Sequence, residues 1–256
     1  MKALVLAAGL GERVRPLTDT IPKPLLEVGG RPLIHYALAM LRRGGVGGVV
    51  VNVHHLAGAI QQALGNGHAL GLDITYSPEP VLFGTGGPLN ALTGYFDNET
   101  FVIANSDSIV DLDLSAMLAQ HRDRGALVTI ALYPADSHDA YIDSESRVRL
   151  MRLLRGRNPA RYQDYPAELA GIDAAALRRY RYCGVIAMEP AVFERMPKSP
   201  PWGVMDQLIA PMVAEGLPVF GFVHDGYFRT VDDLRGYDAL RREFETSPPQ
   251  LRHVTF

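Results

Sequence analysis

The stretch LAAGLGERVRPLTDTIPKPL, residues 6–25, follows a short hydrophobic run almost at the start of the chain. It places Gly9 and Gly11 where a buried strand is expected to end, and cations follow, among them Arg13 and Lys23. Glycines at such a bend let backbone N–H groups approach an anion closely, and nearby cations neutralise its charge. The pattern favours a polyphosphate ligand, although a glycine-rich turn is also common as an ordinary connection between a strand and a loop.

Two common phosphate-binding motifs do not fit this stretch. A Walker loop needs GxxxxGK[ST], and a dinucleotide fingerprint needs a third glycine at the position of Val14. Pro16, Pro22 and Pro24 exclude a regular helix. The sequence therefore predicts an extended loop that lies over its ligand.

Over its whole length the stretch resembles the signature of the sugar-1-phosphate nucleotidyltransferases, which is close to LAxGxGxRLxPLTxxxPKPL. The resemblance implies a Rossmann-like fold and transfer of a nucleotidyl group from a nucleoside triphosphate (NTP) to a sugar 1-phosphate, with pyrophosphate released. It implies that Arg13 holds the β- and γ-phosphates and that Lys23 binds the α-phosphate. It also assigns contacts with the nucleotide to four residues at the start of the stretch: Leu6, Ala8, Gly9 and Gly11.

Composition limits the partners and the location of the protein. A chain of 256 residues with a formal net charge of −3 gives no support for a nucleic-acid-binding or membrane-binding surface. Cys183 is the only cysteine, which excludes an internal disulfide and a multi-cysteine zinc site. No apolar run is long enough to span a bilayer, and we do not expect the first residues to act as a signal peptide. We expect a cytoplasmic protein, and the sequence leaves homo-oligomerisation open.

Strand-like and helix-like segments alternate along the chain, which indicates an α/β fold with a mostly parallel mixed sheet flanked by helices. We expect one nucleotidyltransferase domain over residues 1–256, with an insertion at about 155–182, where basic and aromatic residues surround a short helical piece. The predicted strands are residues 2–8, 49–53, 72–76, 100–104, 126–132, 182–188 and 219–223. The predicted helices are residues 32–43, 56–64, 88–92, 114–122, 202–214 and 232–244.

A candidate magnesium site follows from the chemistry that the resemblance implies. Mg²⁺ prefers carboxylate, phosphate and water oxygens, and Asp107 stands just beyond a predicted strand in IANSDS. In the family this aspartate holds Mg²⁺; capping of the next helix or an Asx turn is the structural alternative. GYFRTVDDLRGY resembles the closing signature of the family and points to Asp232 as the second ligand, with Asp233 as the fallback. The alternative role for Asp232 is the N-cap of the last helix.

The segment SPEPVLFGTGG, residues 77–87, resembles the loop that lies against the nucleobase and ribose in this family. The resemblance assigns nucleotide contacts to Gly84, Thr85 and Gly86. Glu79 could accept hydrogen bonds from an amino-bearing base edge, which weakly favours guanine or cytosine. A glycine turn before a helix is the structural alternative.

The acceptor side is less well specified, because the EKP tripeptide of many family members is missing. Arg152 or Arg155 could replace its lysine, and Gly184 stands at the start of the corresponding strand. Cys183 is expected to be a buried small hydrophobe. His54 and His55 have no third metal ligand beside them, which favours a structural role.

The sequence leaves two further functions open. One is a catalytically weak homologue that binds a nucleotide or nucleotide sugar as a regulatory subunit, which Thr230 and the missing EKP would suit. The other is nucleotidyl transfer to a non-sugar phosphate. Retention of Arg13, Lys23 and Asp107 favours the Mg²⁺-dependent enzyme.

Overall fold

The computed structural model describes residues 1–96, 98–135, 139–154, 162–165 and 173–256. The chain forms two compact units. Unit 1 comprises Met1–Leu82, Phe101–Ser115 and Gly226–Phe256, and unit 2 comprises Phe83–Thr100 and Ala116–Asp225. No helix within the described ranges is long and apolar enough to cross a membrane. The single domain with an insertion at 155–182 stays a prediction.

The strands are β1 Lys2–Leu6, β2 Glu27–Val28, β3 Arg31–Pro32, β4 Gly48–Val53, β5 Asp73–Pro78, β6 Phe101–Asn105, β7 Ser108–Val110, β8 Val128–Tyr133, β9 Ala140–Ile142, β10 Val148–Leu154, β11 Tyr162–Tyr165, β12 Arg178–Met188, β13 Val219–Val223 and β14 Phe228–Thr230. The α-helices are α1 Leu33–Arg43, α2 Ala57–Leu64, α3 Leu89–Leu92, α4 Leu114–Asp123, α5 Ala210–Ala214 and α6 Leu234–Thr246.

Unit 1 is built on a parallel sheet with the strand order β6-β1-β4-β5. Its strands are short apolar runs, and residues such as Leu4, Val49 and Ile103 are fully buried. Such runs are typical of parallel strands covered on both faces. Because all four strands are parallel, their carboxyl ends lie along one edge of the sheet, where ligands of open α/β sheets bind. A separate antiparallel pair, β14 with β7, follows β6 along the chain.

Unit 2 contains a mixed sheet with the strand order β13-β8-β12-β9-β10-β11. Only β13 and β8 are parallel among these described strands; the other neighbours are antiparallel. Strand β12 shifts register between Tyr182 and Ile186, and Gly184 lies in this irregularity with φ +85°. The α/β class with a mixed sheet and flanking helices is confirmed, with its parallel part concentrated in unit 1.

Most predicted elements are confirmed to within two residues at each end, and Val219–Val223 matches at both ends. The predicted helix over 202–214 starts later than predicted and is not α-helical throughout: Met205–Ile209 form a π-helical segment that continues directly into α5 at Ala210. Pro211 has no N–H to continue the ordinary hydrogen-bond ladder there. Strand β12 begins at Arg178, inside the predicted insertion. The other strands that were not predicted are β2, β3, β7, β9, β10, β11 and β14.

Candidate active site

The glycine loop after β1 is compact. Instead of the predicted extended chain, it forms three short 3₁₀ turns, Glu12–Val14, Leu17–Asp19 and Lys23–Leu25. Such turns use hydrogen bonds between residues three apart and tolerate the prolines that exclude an α-helix. Gly11 adopts φ +65°, and a Cβ there would lie 2.8 Å from the Thr18 methyl group. This position therefore requires glycine.

Lys23 and Asp107 form an ion pair. Lys23 Nζ lies 2.6 Å from Asp107 Oδ2, and the two side chains are 13% and 31% exposed. Asp107 stands between β6 and β7, and its neighbour Ser106 donates a hydrogen bond to the carbonyl of Leu6 at the end of β1. Because a strand follows Asp107, its carboxylate does not cap a helix. The fold thus brings two predicted site residues together at the carboxyl ends of β1 and β6.

Asp232 is brought toward Asp107 by the pairing of β7 with β14. Thr230 pairs with Ser108, and the Val231 N–H donates to the carbonyl of Asp107 at 3.0 Å. Asp232 is half-exposed, and its Oδ1 lies 3.7 Å from Nη2 of Arg13. The cap of α6 is Asp233, whose Oδ1 accepts from the Gly236 N–H at 2.8 Å. The capping role therefore belongs to Asp233 and leaves Asp232 facing Arg13.

These carboxylates fit a magnesium ion that is bound together with a nucleotide. Within the described ranges no group of three or more His, Cys, Asp or Glu side chains could hold a metal ion. Mg²⁺ in nucleotide sites usually takes one or two carboxylates and completes its shell with phosphate oxygens and water. Asp107, between β6 and β7, and Asp232, just after β14, offer two carboxylates, a donor set that is compatible with this binding mode.

Glu79, the predicted contact to the base edge, is buried, with 4% of the residue exposed. Its Oε1 accepts a 2.7 Å hydrogen bond from Nδ2 of Asn52, and Oδ1 of Asn52 accepts another from the Ala7 N–H. His54 Nδ1 bonds to the Glu79 carbonyl, and His55 Nε2 bonds to the Thr18 carbonyl, each at 2.7 Å. The two histidines thus brace loops, as their sequence context favours. Asn52 was missed, although a lone amide in the valine run GVVVNV is a signal for it.

The predicted base-binding glycines lie in unit 2 and pack on Trp202. A Cβ on Gly84 would lie 2.3 Å from the Trp202 carbonyl oxygen, and one on Gly86 would lie 2.1 Å from the indole ring. The Gly86 N–H donates to the Trp202 carbonyl at 3.0 Å, and Thr85 Oγ1 accepts from the Val204 N–H at 3.0 Å. These contacts within the unit account for the glycines, and the nucleotide role of Gly84, Thr85 and Gly86 stays a prediction.

The predicted acceptor residues also lie in unit 2. Both oxygens of Asp164 accept hydrogen bonds from the Arg152 guanidinium, at 2.7 and 2.9 Å. Arg155 lies outside the described residues. Cys183 is buried beside Gly184, its thiol donates to the Ala131 carbonyl, and burial raises its pKa well above the usual value. A buried thiol with a raised pKa is a poor nucleophile, as its sequence context indicates.

Comparison with known proteins places the chain among nucleotidyl transferases. The family described as "Nucleotidyl transferase" matches residues 2–150. A UTP–glucose-1-phosphate uridylyltransferase from Synechocystis sp. is 30% identical over 247 residues, which are 91% of this chain and 60% of that protein. An N-acetylmuramate alpha-1-phosphate uridylyltransferase from Neisseria meningitidis is 48% identical over 118 residues, which are 45% of this chain and 51% of that protein. The matches therefore span between half and two thirds of the length of these relatives.

Among solved structures, HddC from Yersinia pseudotuberculosis is similar with a TM-score of 0.72 at 18% identity. The superposition covers 95% of this chain and 99% of that one. At this identity the likeness concerns the fold alone.

Proposed function

The chain belongs to the nucleotidyl transferase family, and we propose that it transfers a nucleotidyl group from an NTP to a sugar 1-phosphate, giving a nucleoside-diphosphate sugar and pyrophosphate. The observation that carries the proposal is the Lys23–Asp107 pair at the carboxyl ends of β1 and β6. It places a cation and a carboxylate beside the glycine loop, and a carboxylate is a ligand type that Mg²⁺ prefers. The names of the uridylyltransferase relatives support the reaction class.

Each charged side chain has a role in this reaction. Lys23 binds the α-phosphate, where negative charge builds in the transition state, and Arg13 holds the β- and γ-phosphates. Arg13 suits that role because its side chain is 68% exposed and can reach a ligand. When the nucleotide binds, Lys23 exchanges part of its bond with Asp107 for a phosphate oxygen. Catalysis of this kind consists mainly of positioning and charge neutralisation.

Asp107 and Asp232 would hold a magnesium ion, which neutralises phosphate charge when it is bound. A phosphate oxygen of the sugar 1-phosphate attacks the α-phosphorus; the new P–O bond forms as the bond to pyrophosphate breaks. This oxygen is already ionised at neutral pH, so no side chain has to remove a proton. The exposed Arg13–Asp232 contact therefore serves to place ligands rather than to transfer protons.

A direct assay is needed to identify the base and the sugar. Because Oε1 of Glu79 is occupied by Asn52 and the residue is buried, Glu79 gives no added support for guanine or cytosine. UTP and GTP are the first donors to test, since relatives carry uridylyl- and guanylyltransferase names. The cytoplasmic location and a homo-oligomeric state stay predictions.

The test is to incubate the protein with Mg²⁺, each of the four NTPs and a panel of sugar 1-phosphates, and to measure pyrophosphate. We expect release with one donor–acceptor combination and none without the sugar phosphate. Nucleotide binding with no pyrophosphate from any pair would refute the enzyme and favour the regulatory homologue. Release with phosphocholine in place of sugar phosphates would move the proposal to a non-sugar acceptor.

A further inference from the structure

Asn52 occupies a special place in the sheet of unit 1. It lies at the end of β4, which runs between β1 and β5. In the register of the sheet, Asn52 pairs with Leu6 on one side and with Ser77 on the other. One loop starts directly after Leu6 and the other shortly after Ser77, so a single side chain at this point can reach both.

The two hydrogen bonds of Asn52 have a fixed direction. The Ala7 N–H can only donate, so the atom 2.7 Å from it must be the amide oxygen. The amide nitrogen is then turned toward Glu79, where it donates to Oε1 at 2.7 Å. Both residues are nearly inaccessible, with 2% of Asn52 and 4% of Glu79 exposed. Hydrogen bonds in such surroundings are costly to leave unmade.

Residues at and just after the end of β4 also bind the backbone of Glu79. Its N–H donates to the Val53 carbonyl at 2.8 Å, and its carbonyl is bonded by His54 Nδ1 at 2.7 Å. Ala7 opens the loop that carries Arg13 and Lys23. Asn52 is thus the side chain that joins the start of the glycine loop to the start of the 77–82 segment.

We propose that Asn52 is a positioning residue for the donor nucleotide, which holds the phosphate-binding loop and the Glu79 segment in one fixed arrangement. The inference rests on the proposed function, because it assigns the glycine loop to the triphosphate. Asn52 acts through Ala7 and Glu79 and does not itself contact the nucleotide. A change that breaks only the Asn52–Glu79 bond leaves the Arg13 and Lys23 side chains intact but frees the Glu79 segment from the glycine loop, and nucleotide binding therefore weakens.

The geometry allows a test by reversing the polarity of the bond. Asn52→Asp keeps an acceptor for Ala7 but places two carboxyl groups against each other. Adding Glu79→Gln supplies an amide nitrogen that donates to the new carboxylate, so the double variant restores the bond with the roles exchanged. Asn66→Asp is the matched control, because Asn66 is exposed on the same unit.

The readouts are the Kd of each of the four NTPs, starting with UTP and GTP, measured by titration calorimetry with and without Mg²⁺, the Tm, and the KM for each substrate. Asn52→Asp is expected to raise the Kd and the KM for the NTP about tenfold or more, with the KM for sugar 1-phosphate much less affected. The double variant is expected to recover most of the loss, and the control is expected to match the wild type.

The outcomes separate the inference from the proposed function. If Asn52→Asp lowers the Tm but leaves the nucleotide Kd unchanged, or if Glu79→Gln brings no recovery, the positioning role is wrong. If the wild type binds nucleotide but releases no pyrophosphate, the proposed reaction fails while the Kd values still decide the role of Asn52. If the wild type binds none of the four NTPs, both are overturned.

Discussion

Replacing Asp107 by asparagine tests the central contact of the candidate site. The change removes one negative charge and keeps the size of the side chain. In the wild type the Lys23 ammonium lies 2.6 Å from the carboxylate and is 13% exposed, so little water can replace the lost partner. The introduced amide would still offer an oxygen as acceptor, so the hydrogen bond is weakened rather than removed.

The expected cost follows from this geometry. Hydrogen bonds to charged groups contribute about 1.5–3 kcal/mol, and an amide oxygen retains part of this. We therefore expect Asp107→Asn to lower the free energy of unfolding by about 1–2 kcal/mol. For a chain of this size that corresponds to a fall in Tm of roughly 2–8 °C. The fold should remain intact.

The expected effect on turnover is much larger. Asp107 is a proposed ligand of Mg²⁺ and the partner of Lys23, and loss of one preorganised charged contact commonly lowers kcat by about 10²–10³-fold. Pyrophosphate release at saturating substrates measures this effect, and circular dichroism with urea unfolding measures stability. Lys23→Met completes a double-mutant cycle, in which we expect a coupling energy of about 1–2 kcal/mol.

Two results would refute this reasoning. Full turnover in Asp107→Asn would show that the carboxylate does not take part in the reaction. Additive stability losses for Asp107→Asn and Lys23→Met would show that the ion pair contributes nothing to the folded state. If turnover is lost but the two stability losses are additive, the role of Asp107 in the reaction stands and only the expected stability contribution of the ion pair is wrong.

Three further substitutions test other features. Gly11→Ala places a Cβ at φ +65° and against a threonine methyl group, so we expect a loss of about 1–3 kcal/mol in urea unfolding and a higher KM for the NTP; unchanged values would contradict the loop geometry. Gly86→Ala drives a Cβ into the Trp202 ring and should lower the Tm. The control Gly94→Ala has no atom within 4 Å of the new Cβ and should lower the Tm much less. Equal falls in Tm for the two variants would contradict the packing of Gly86 on Trp202. Burial lowers the pKa of His121 below 6.5, so the unfolded chain takes up the proton first and stability falls as the pH drops below 6.5. The difference in free energy of unfolding between wild type and His121→Gln should therefore be largest above pH 6.5 and shrink below it. Urea unfolding at a series of pH values measures this difference. A difference that stays constant with pH would show that protonation of His121 is not coupled to stability.

The parallel half of the fold could be predicted because its strands are continuous apolar runs. The runs at Lys2–Leu6, Gly48–Val53 and Phe101–Asn105 each stop at polar or small residues, which makes both their type and their ends visible. The antiparallel strands of unit 2 could not be predicted in the same way. Strands β10 and β11 contain arginine, tyrosine and aspartate, and they are held by backbone pairing and cross-strand contacts such as Arg152–Asp164 that no local pattern reveals.

The site was predictable where a residue stands inside a specific motif. Lys23 and Asp107 were both chosen from motifs, and the fold brings them into contact. The neighbours Asp232 and Asp233 could not be separated from sequence, because either can cap a helix; only the backbone shows that Asp233 does so. Gly84 and Gly86 carried an ambiguity of another kind, since close approach to a ligand and close approach to Trp202 require the same residue.

Trp202 is the only tryptophan of the chain, and this makes it a built-in optical probe. Its indole is buried, donates through Nε1 to Oδ1 of Asn90 at 2.7 Å, and lies against Gly86. Fluorescence excited selectively from tryptophan therefore reports on one place in unit 2, without any label. A rearrangement of the 83–87 segment on addition of a nucleotide would change the emission wavelength and the access of a quencher to the ring, and stopped-flow mixing could follow it in time.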